Sequence, residues 1–154
     1  MSTLDAIPWV YLSGPYSSDP CAATNRMCQV WRRWHNRIGE RVLIVCPHWS
    51  HLQQTVSPMP YEAWIKYDLN VIRVLARSGP GVVFRVPGES SGADREVALA
   101  RELGVDVVVG EGELRQWIDG YMASPNPDLS QMAEEARQSG DRAALLRYLR
   151  ARRK

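Results

Sequence analysis

No apolar run in the 154 residues approaches the roughly 20 that a membrane-spanning helix needs, and no basic-then-apolar stretch marks the N-terminus as a signal peptide. A cytoplasmic protein with no membrane partner is the expectation. Cysteine is scarce: Cys21, Cys28 and Cys46 make an odd count at irregular spacing, in a chain long enough to build a core without covalent staples. Reduced thiols are expected. The sequence also lacks internal repeats, low-complexity stretches and strong net charge, which is +2 overall. That total hides an asymmetry, because residues 131–154 hold seven Lys/Arg and three Asp/Glu, leaving 12 basic and 14 acidic residues in 1–130, net −2. The main body therefore has no bulk charge for a polyanion, and nucleic acid is not an expected partner; a nucleic-acid role would rest on the tail alone. What is present, 45% hydrophobic and 23% charged residues, suits an ordinary globular domain.

Four short apolar, β-branched runs read as strands: Trp9 to Leu12, Val42 to Cys46, Val82 to Val86 and Val105 to Val109. Between them the spacing is helical, through Met27, Val30, Trp31, Trp34 and Ile38, then from Tyr61 to Arg77 through Trp64, Val71, Ile72 and Leu75, then Ala93 to Leu103. Near-continuous apolar strands alternating with helices predict an α/β fold, a three-layer Rossmann-like (flavodoxin-like) parallel sheet flanked by helices. Ligands in such folds sit beyond the carboxyl ends of the strands. The three loops there run from Ser13 to Ser18, from Pro47 to His51 and from Pro87 to Glu96, and they are rich in hydroxyls and glycine. A further helix is expected from Glu113 to Met122, then a break over Ser124 to Asp128. The C-terminal helical tail, Leu129 to Arg150, reads as two short helices around Ser139-Gly140-Asp141, with Asp141 as an N-cap and a basic end from Arg147 to Lys154. Residues 1–123 are thus assigned to the α/β domain and 124–154 to a helical, basic extension.

Two carboxylates conflict with this pattern. Asp68 falls on the apolar stripe of its helix, four residues after Trp64, three before Val71 and four before Ile72. A core-facing Asp either pairs with a buried arginine, caps a neighbouring loop, or borders a cavity where its proton is used. Glu96 is expected in the first turn of the third helix, aligned with Ala93, Ala100 and Leu103; it either complements the helix dipole or faces a ligand. Both helices begin at the same edge of the sheet. Two carboxylates beside one cleft suit chemistry at an acetal-like carbon, one attacking or stabilising the sugar carbon and the other assisting the leaving group.

Tyr11-Leu12-Ser13-Gly14-Pro15 resembles the Tyr-hydrophobic-x-Gly opening of the nucleoside 2-deoxyribosyltransferase superfamily. Trp64-Ile65-Lys66-Tyr67-Asp68 resembles its aspartate-bearing helix, and Ser90-Ser91-Gly92-Ala93-Asp94-Arg95-Glu96 its Ser-x-Gly-x-x-x-Glu loop, with the likeness running in order over roughly residues 8 to 118. The resemblance implies an enzyme of the transferase or N-glycosidase type. Glu96 would be the nucleophile at C1′ of a nucleoside or nucleoside 5′-monophosphate, Tyr11 would orient it by a hydrogen bond, and Asp68 would protonate the departing base. Ser13, Gly14, Pro15, Trp64, Ser90, Ser91 and Gly92 would contact substrate, the serines and glycines lining the sugar and any 5′-phosphate. A homo-oligomer is implied, as is a reaction without cofactor. The chain departs from the family pattern at Ala76-Arg77-Ser78-Gly79-Pro80-Gly81, and Glu89 beside Ser90 would repel a phosphate. Nucleoside against nucleotide, and water against a second base as acceptor, stay open.

Cys46, His48 and His51 form a Cys-x-His-x-x-His run with no second Cys/His pair at suitable spacing, so no metal is expected. His48 and Trp49 are placed instead at the edge of the base pocket, and the six tryptophans are otherwise assigned mostly to the core. A non-catalytic nucleotide-binding module with the same loops is the alternative of a different class; it would be stabilised by ligand without releasing base.

Overall fold

A computed structural model describes residues 7–16, 19–123 and 129–152. Ser17 and Ser18, the expected break at Ser124 to Asp128 with the 123/124 boundary, and the last two basic residues lie outside the described residues. Four parallel strands form one sheet in the order β2-β1-β3-β4: β1 (Trp9–Ser13), β2 (Leu43–Val45), β3 (Gly81–Arg85) and β4 (Asp106–Val108). β1 pairs with β3 along its whole length, from Trp9 opposite Gly81 to Ser13 opposite Arg85. The expected α/β architecture is the one observed.

Alternation along the central strands builds two cores. Val10 and Leu12 of β1, with Val82 and Phe84 of β3, face Met27, Val30, Trp34 and Ile38 of α1 (Pro20–Ile38) and Leu114 and Ile118 of α5 (Glu111–Ala123). Trp9, Tyr11 and Val83 point the other way, against Ile72, Leu75 and Ala76 of α3 (Tyr61–Ser78) and Val97, Leu99 and Ala100 of α4 (Ser91–Glu102). The period of two on the strands and of 3.6 on the helices thus fixes which helix covers which face. Asp19 caps α1 through its Oδ1, which accepts from the Ala22 amide at 3.0 Å, with Pro20 in the first helical position. The tail forms α6 (Leu129–Ser139) and α7 (Arg142–Arg152), and Asp141 Oδ1 accepts from the Ala143 amide at 3.0 Å, as an N-cap does. α7 rests on the α4–β4 turn, with Ala144 buried and Leu146 against Gly104.

Two expectations need correction. The loop after β2 is helical, a 3-10 turn over Pro47–Ser50 leading into α2 (His51–Val56). None of the α2 residues is buried, so no apolar period announces it. α4 begins at Ser91 and not at Ala93, because Ser90 caps it by accepting from the Ala93 amide; Glu96 consequently lies in the second turn, and the first-turn carboxylate is Asp94. The tryptophans are mostly core, as expected: Trp9 and Trp34 are buried in it and Trp31 and Trp117 pack half-buried against it, while Trp49 is exposed. Ahead of β3, Trp9 Nε1 donates to the Gly79 carbonyl at 3.1 Å, and a Cβ on Gly81 would come within 1.9 Å of the indole.

Candidate active site

The β1–β3 border is where the strand order reverses, since β2 lies on one side of β1 and β3 on the other, and such switch points open a crevice at the carboxyl ends of the strands. Tyr11 sits next to that border, fully buried, and its hydroxyl donates to Glu96 Oε1 at 2.9 Å. Glu96 is 5% exposed. Ser13, also buried, has two acceptors in reach, the Ala93 carbonyl at 3.4 Å and the Glu96 carboxylate. The hydroxyl donates to the Ala93 carbonyl and, beside Glu96, also favours the ionised form of that carboxyl.

Asp68 projects from α3 toward the same crevice. Among the described residues no cation or hydrogen-bond donor pairs with it, which removes the loop-cap and buried-arginine explanations of its position. Two adjoining hollows share Asp68, Pro47 and Ser50 as walls. The first, about 60 Å³, is lined by Gly14, Tyr16, His48, Trp64, Ser90, Gly92 and Glu96 among others. The second, about 270 Å³, is lined by Tyr11, Cys46, Trp49, Gln53, Tyr67 and Val71 among others. Together they reach the lower end of the ~300–1,000 Å³ typical of small-molecule sites. Tyr16 and Ser50 of the first hollow lie in two of the loops expected at the ligand site; Tyr61, and Gln53 and Tyr67 of the second, sit on exposed helix positions and carry no sequence signal of their own.

Hydrogen bonding, more than the raised pKa that both share, distinguishes the two acids. Burial pushes the Glu96 carboxyl up to about 7, against hydrogen bonds from Ser13 and Tyr11 and the Arg85 charge, all of which favour its ionised form. Asp68 is also raised to about 7, by burial and then by the Glu96 charge. The Tyr11 phenol is held well above its ordinary value by burial and the same two carboxylates, so it stays a donor. Glu96 thus accepts hydrogen bonds that favour its ionised form, and Asp68 accepts none.

Other side chains shape the cleft. A Cβ on Gly92 would lie 2.7 Å from Ile65 Cδ1 and 2.8 Å from the Tyr61 hydroxyl, so glycine lets α4 approach α3 at the mouth of the first hollow. Ser90 is engaged as the α4 cap, whereas Ser91 is exposed and lines neither hollow. Pro15 also lines neither; its carbonyl accepts from His48 Nε2 at 3.0 Å and fixes the imidazole in the wall. Burial lowers the His48 pKa, which keeps that ring neutral. Arg85 was not signalled by the sequence beyond being a charge in an apolar strand. Its guanidinium donates to the carbonyls of Val86 and Gly88 at 2.5 and 2.7 Å and to Asp94 at 3.1 Å, clamping the β3–α4 loop that presents Ser90 and Gly92. Trp64 donates from Nε1 to Gln54, whose Oε1 also accepts from the Met59 amide at 2.8 Å, so the approach to α3 is tied down.

The Cys-x-His-x-x-His run does not converge. Cys46 is buried, His48 turns to Pro15, and His51 turns to Tyr16 and Cys21 at 2.8 and 3.4 Å. No helix among the described residues is long and apolar enough to cross a membrane. Compared with protein-family models, curated proteins and solved structures, the chain matches none.

Proposed function

We propose that the chain cleaves or exchanges the N-glycosidic bond of a deoxynucleoside or its 5′-monophosphate, as a member of the nucleoside 2-deoxyribosyltransferase superfamily. The observation that carries this reading is the buried Glu96 carboxylate, held by Tyr11 at 2.9 Å, facing a hollow whose wall it shares with the unpaired Asp68. The order of three sequence segments, through Tyr11, Asp68 and Glu96, supports the family assignment.

In this mechanism a Glu96 carboxylate oxygen attacks C1′ while the bond from C1′ to the base nitrogen breaks, its electron pair leaving with the base. The departing nitrogen takes the Asp68 proton. A glycosyl ester on Glu96 results, and water or a second base then attacks C1′, returning Glu96 to carboxylate; the incoming nucleophile gives its proton to Asp68. Tyr11 and Ser13 keep Glu96 ionised and aimed. The first hollow holds the sugar, and the larger one, lined by Trp49 and Tyr67 among others, holds the base. The steps draw on side chains alone. A homo-oligomer belongs to the same reading.

The test is incubation with a panel of nucleosides and 5′-monophosphates, with and without a free acceptor base, followed by chromatography of the products. Free or exchanged base is expected from the unaltered protein and not from Glu96→Ala with its thermal unfolding intact. Turnover by Glu96→Ala at the unaltered rate, or no base from any substrate, would refute the assignment.

A further inference from the structure

Cys21 stands outside the catalytic reading, yet it is not an isolated thiol. It is exposed, at the second residue of α1, and its Sγ lies 3.4 Å from His51 Nε2. The other nitrogen of that ring, Nδ1, is 2.8 Å from the Tyr16 hydroxyl. When the phenol oxygen accepts from Nδ1–H, the Nε2 lone pair faces the sulfur, and the imidazole is placed to take the thiol proton. The nearby acid, Asp19, is engaged through Oδ1 with the Ala22 amide at 3.0 Å. Solvent access, a proton acceptor in line and a group fixing that acceptor's tautomer are the conditions for a reactive cysteine.

We propose that Cys21, with His51 as its base and Tyr16 as the group that orients His51, is a redox modification site that reacts with peroxides and then with small thiols. The Cys21 sulfur, its proton passed to His51 Nε2, attacks one peroxide oxygen; the O–O bond breaks, the sulfur is oxidised to sulfenic acid, and the hydroxide that leaves takes the proton from His51 as water. A low-molecular-weight thiol then condenses with the sulfenic acid, forming a mixed disulfide and releasing water. The site is independent of base release. It adjoins the substrate cleft, because Tyr16 also lines the first hollow and its ring meets His48 edge-on, with centroids 5.6 Å apart.

The chain supplies its own comparison thiols. Cys28 is on the same helix, half-buried and without a histidine partner, and Cys46 is buried with its thiol pushed up to about 12. The experiment treats the full chain at pH 7 with limiting hydrogen peroxide, traps sulfenic acid with dimedone, and reads each cysteine peptide by mass spectrometry, with glutathione as a free-thiol reference. Cys21 is expected to be trapped at least about ten times faster than Cys28 and faster than glutathione, and His51→Gln to bring it down to the free-thiol rate. Trapping of Cys21 no faster than glutathione in the unaltered protein would overturn the proposal without any variant. A His51→Gln protein as reactive as the unaltered one would overturn it as well.

Discussion

The Tyr11 hydroxyl and Glu96 Oε1, 85 residues apart in sequence, meet at 2.9 Å between the central strand and the helix that covers it. A hydrogen bond to a charged acceptor contributes about 1.5–3 kcal/mol, and this one acts on the ionised form of Glu96. Tyr11→Phe keeps the ring packing and removes the donor. It should lower stability at pH 8 by about 1–3 kcal/mol, with a smaller loss at pH 5 where Glu96 is protonated, as read by denaturant unfolding at the two pH values. Base release should fall at least about tenfold, since the nucleophile loses both charge stabilisation and aim.

The acid pair gives a pH dependence with a definite sign. Both carboxyls are raised to about 7 in the native state, from ordinary values of 3.8 for Asp68 and 4.5 for Glu96. Between about pH 4 and 7 the native protein therefore binds more protons than the unfolded chain, so stability is greatest at the acid end of that window and falls as pH rises through it. Glu96→Gln should flatten this slope and stabilise the fold above pH 7 by on the order of 3 kcal/mol, the rise from 4.5 to about 7 taken at about 1.36 kcal/mol per unit. In the same variant the Asp68 carboxyl should titrate at lower pH, because the Glu96 charge that helped to raise it is gone. Carbon-detected NMR titration of the side-chain carboxyls reads that change.

Two glycines should differ in what they protect. Gly81→Ala drives a Cβ to within 1.9 Å of the buried Trp9 indole, against 2.7 Å from the Ile65 side-chain end at Gly92. Overpacking typically costs ~1–3 kcal/mol, and Gly81→Ala belongs at or above the top of that range because its neighbour is a rigid ring in the core. Gly92→Ala should lower the melting temperature less and base release more, since it parts α3 from α4 at the mouth of the first hollow. Calorimetry and turnover on the two variants separate the effects.

Much of the fold was legible because apolar periodicity and burial coincide in it. The Tyr61–Ser78 helix and the central strands β1 and β3 follow from their spacing to within a residue or two at each end. The short helix His51–Val56 was not legible, because it packs no apolar stripe against the core. Asp68 and Glu96 stood out for the opposite reason, as carboxylates at apolar positions. Trp49 of the second hollow was legible as an edge of the expected base pocket; Gln53 and Tyr67 join it only through α2 and α3. Arg85 was missed because two of its three partners are backbone carbonyls, which no side-chain pattern encodes.

The tail makes a further demand. Ala144 is buried, and Leu146 closes on Gly104 with its Cβ 3.0 Å from where a Cβ would stand there. The Arg147–Asp106 pair, 3.7 Å apart and about 40% exposed on each side, adds little. Leu146→Asp should thus destabilise the protein by about 1–3 kcal/mol, while Arg147→Ala changes it by less than about 1 kcal/mol. Urea unfolding of both variants checks the ranking.

The covalent role of Glu96 is tested most directly by mass spectrometry of the protein after reaction with the 2′-fluoro analogue of the substrate it turns over best, because fluorine slows release of the glycosyl ester. A mass gain of one fluorinated sugar is expected, carried by the peptide that contains Glu96 and missing from Glu96→Gln. Base release by the unaltered protein with no adduct on that peptide, or with the adduct on another residue, would contradict the assignment.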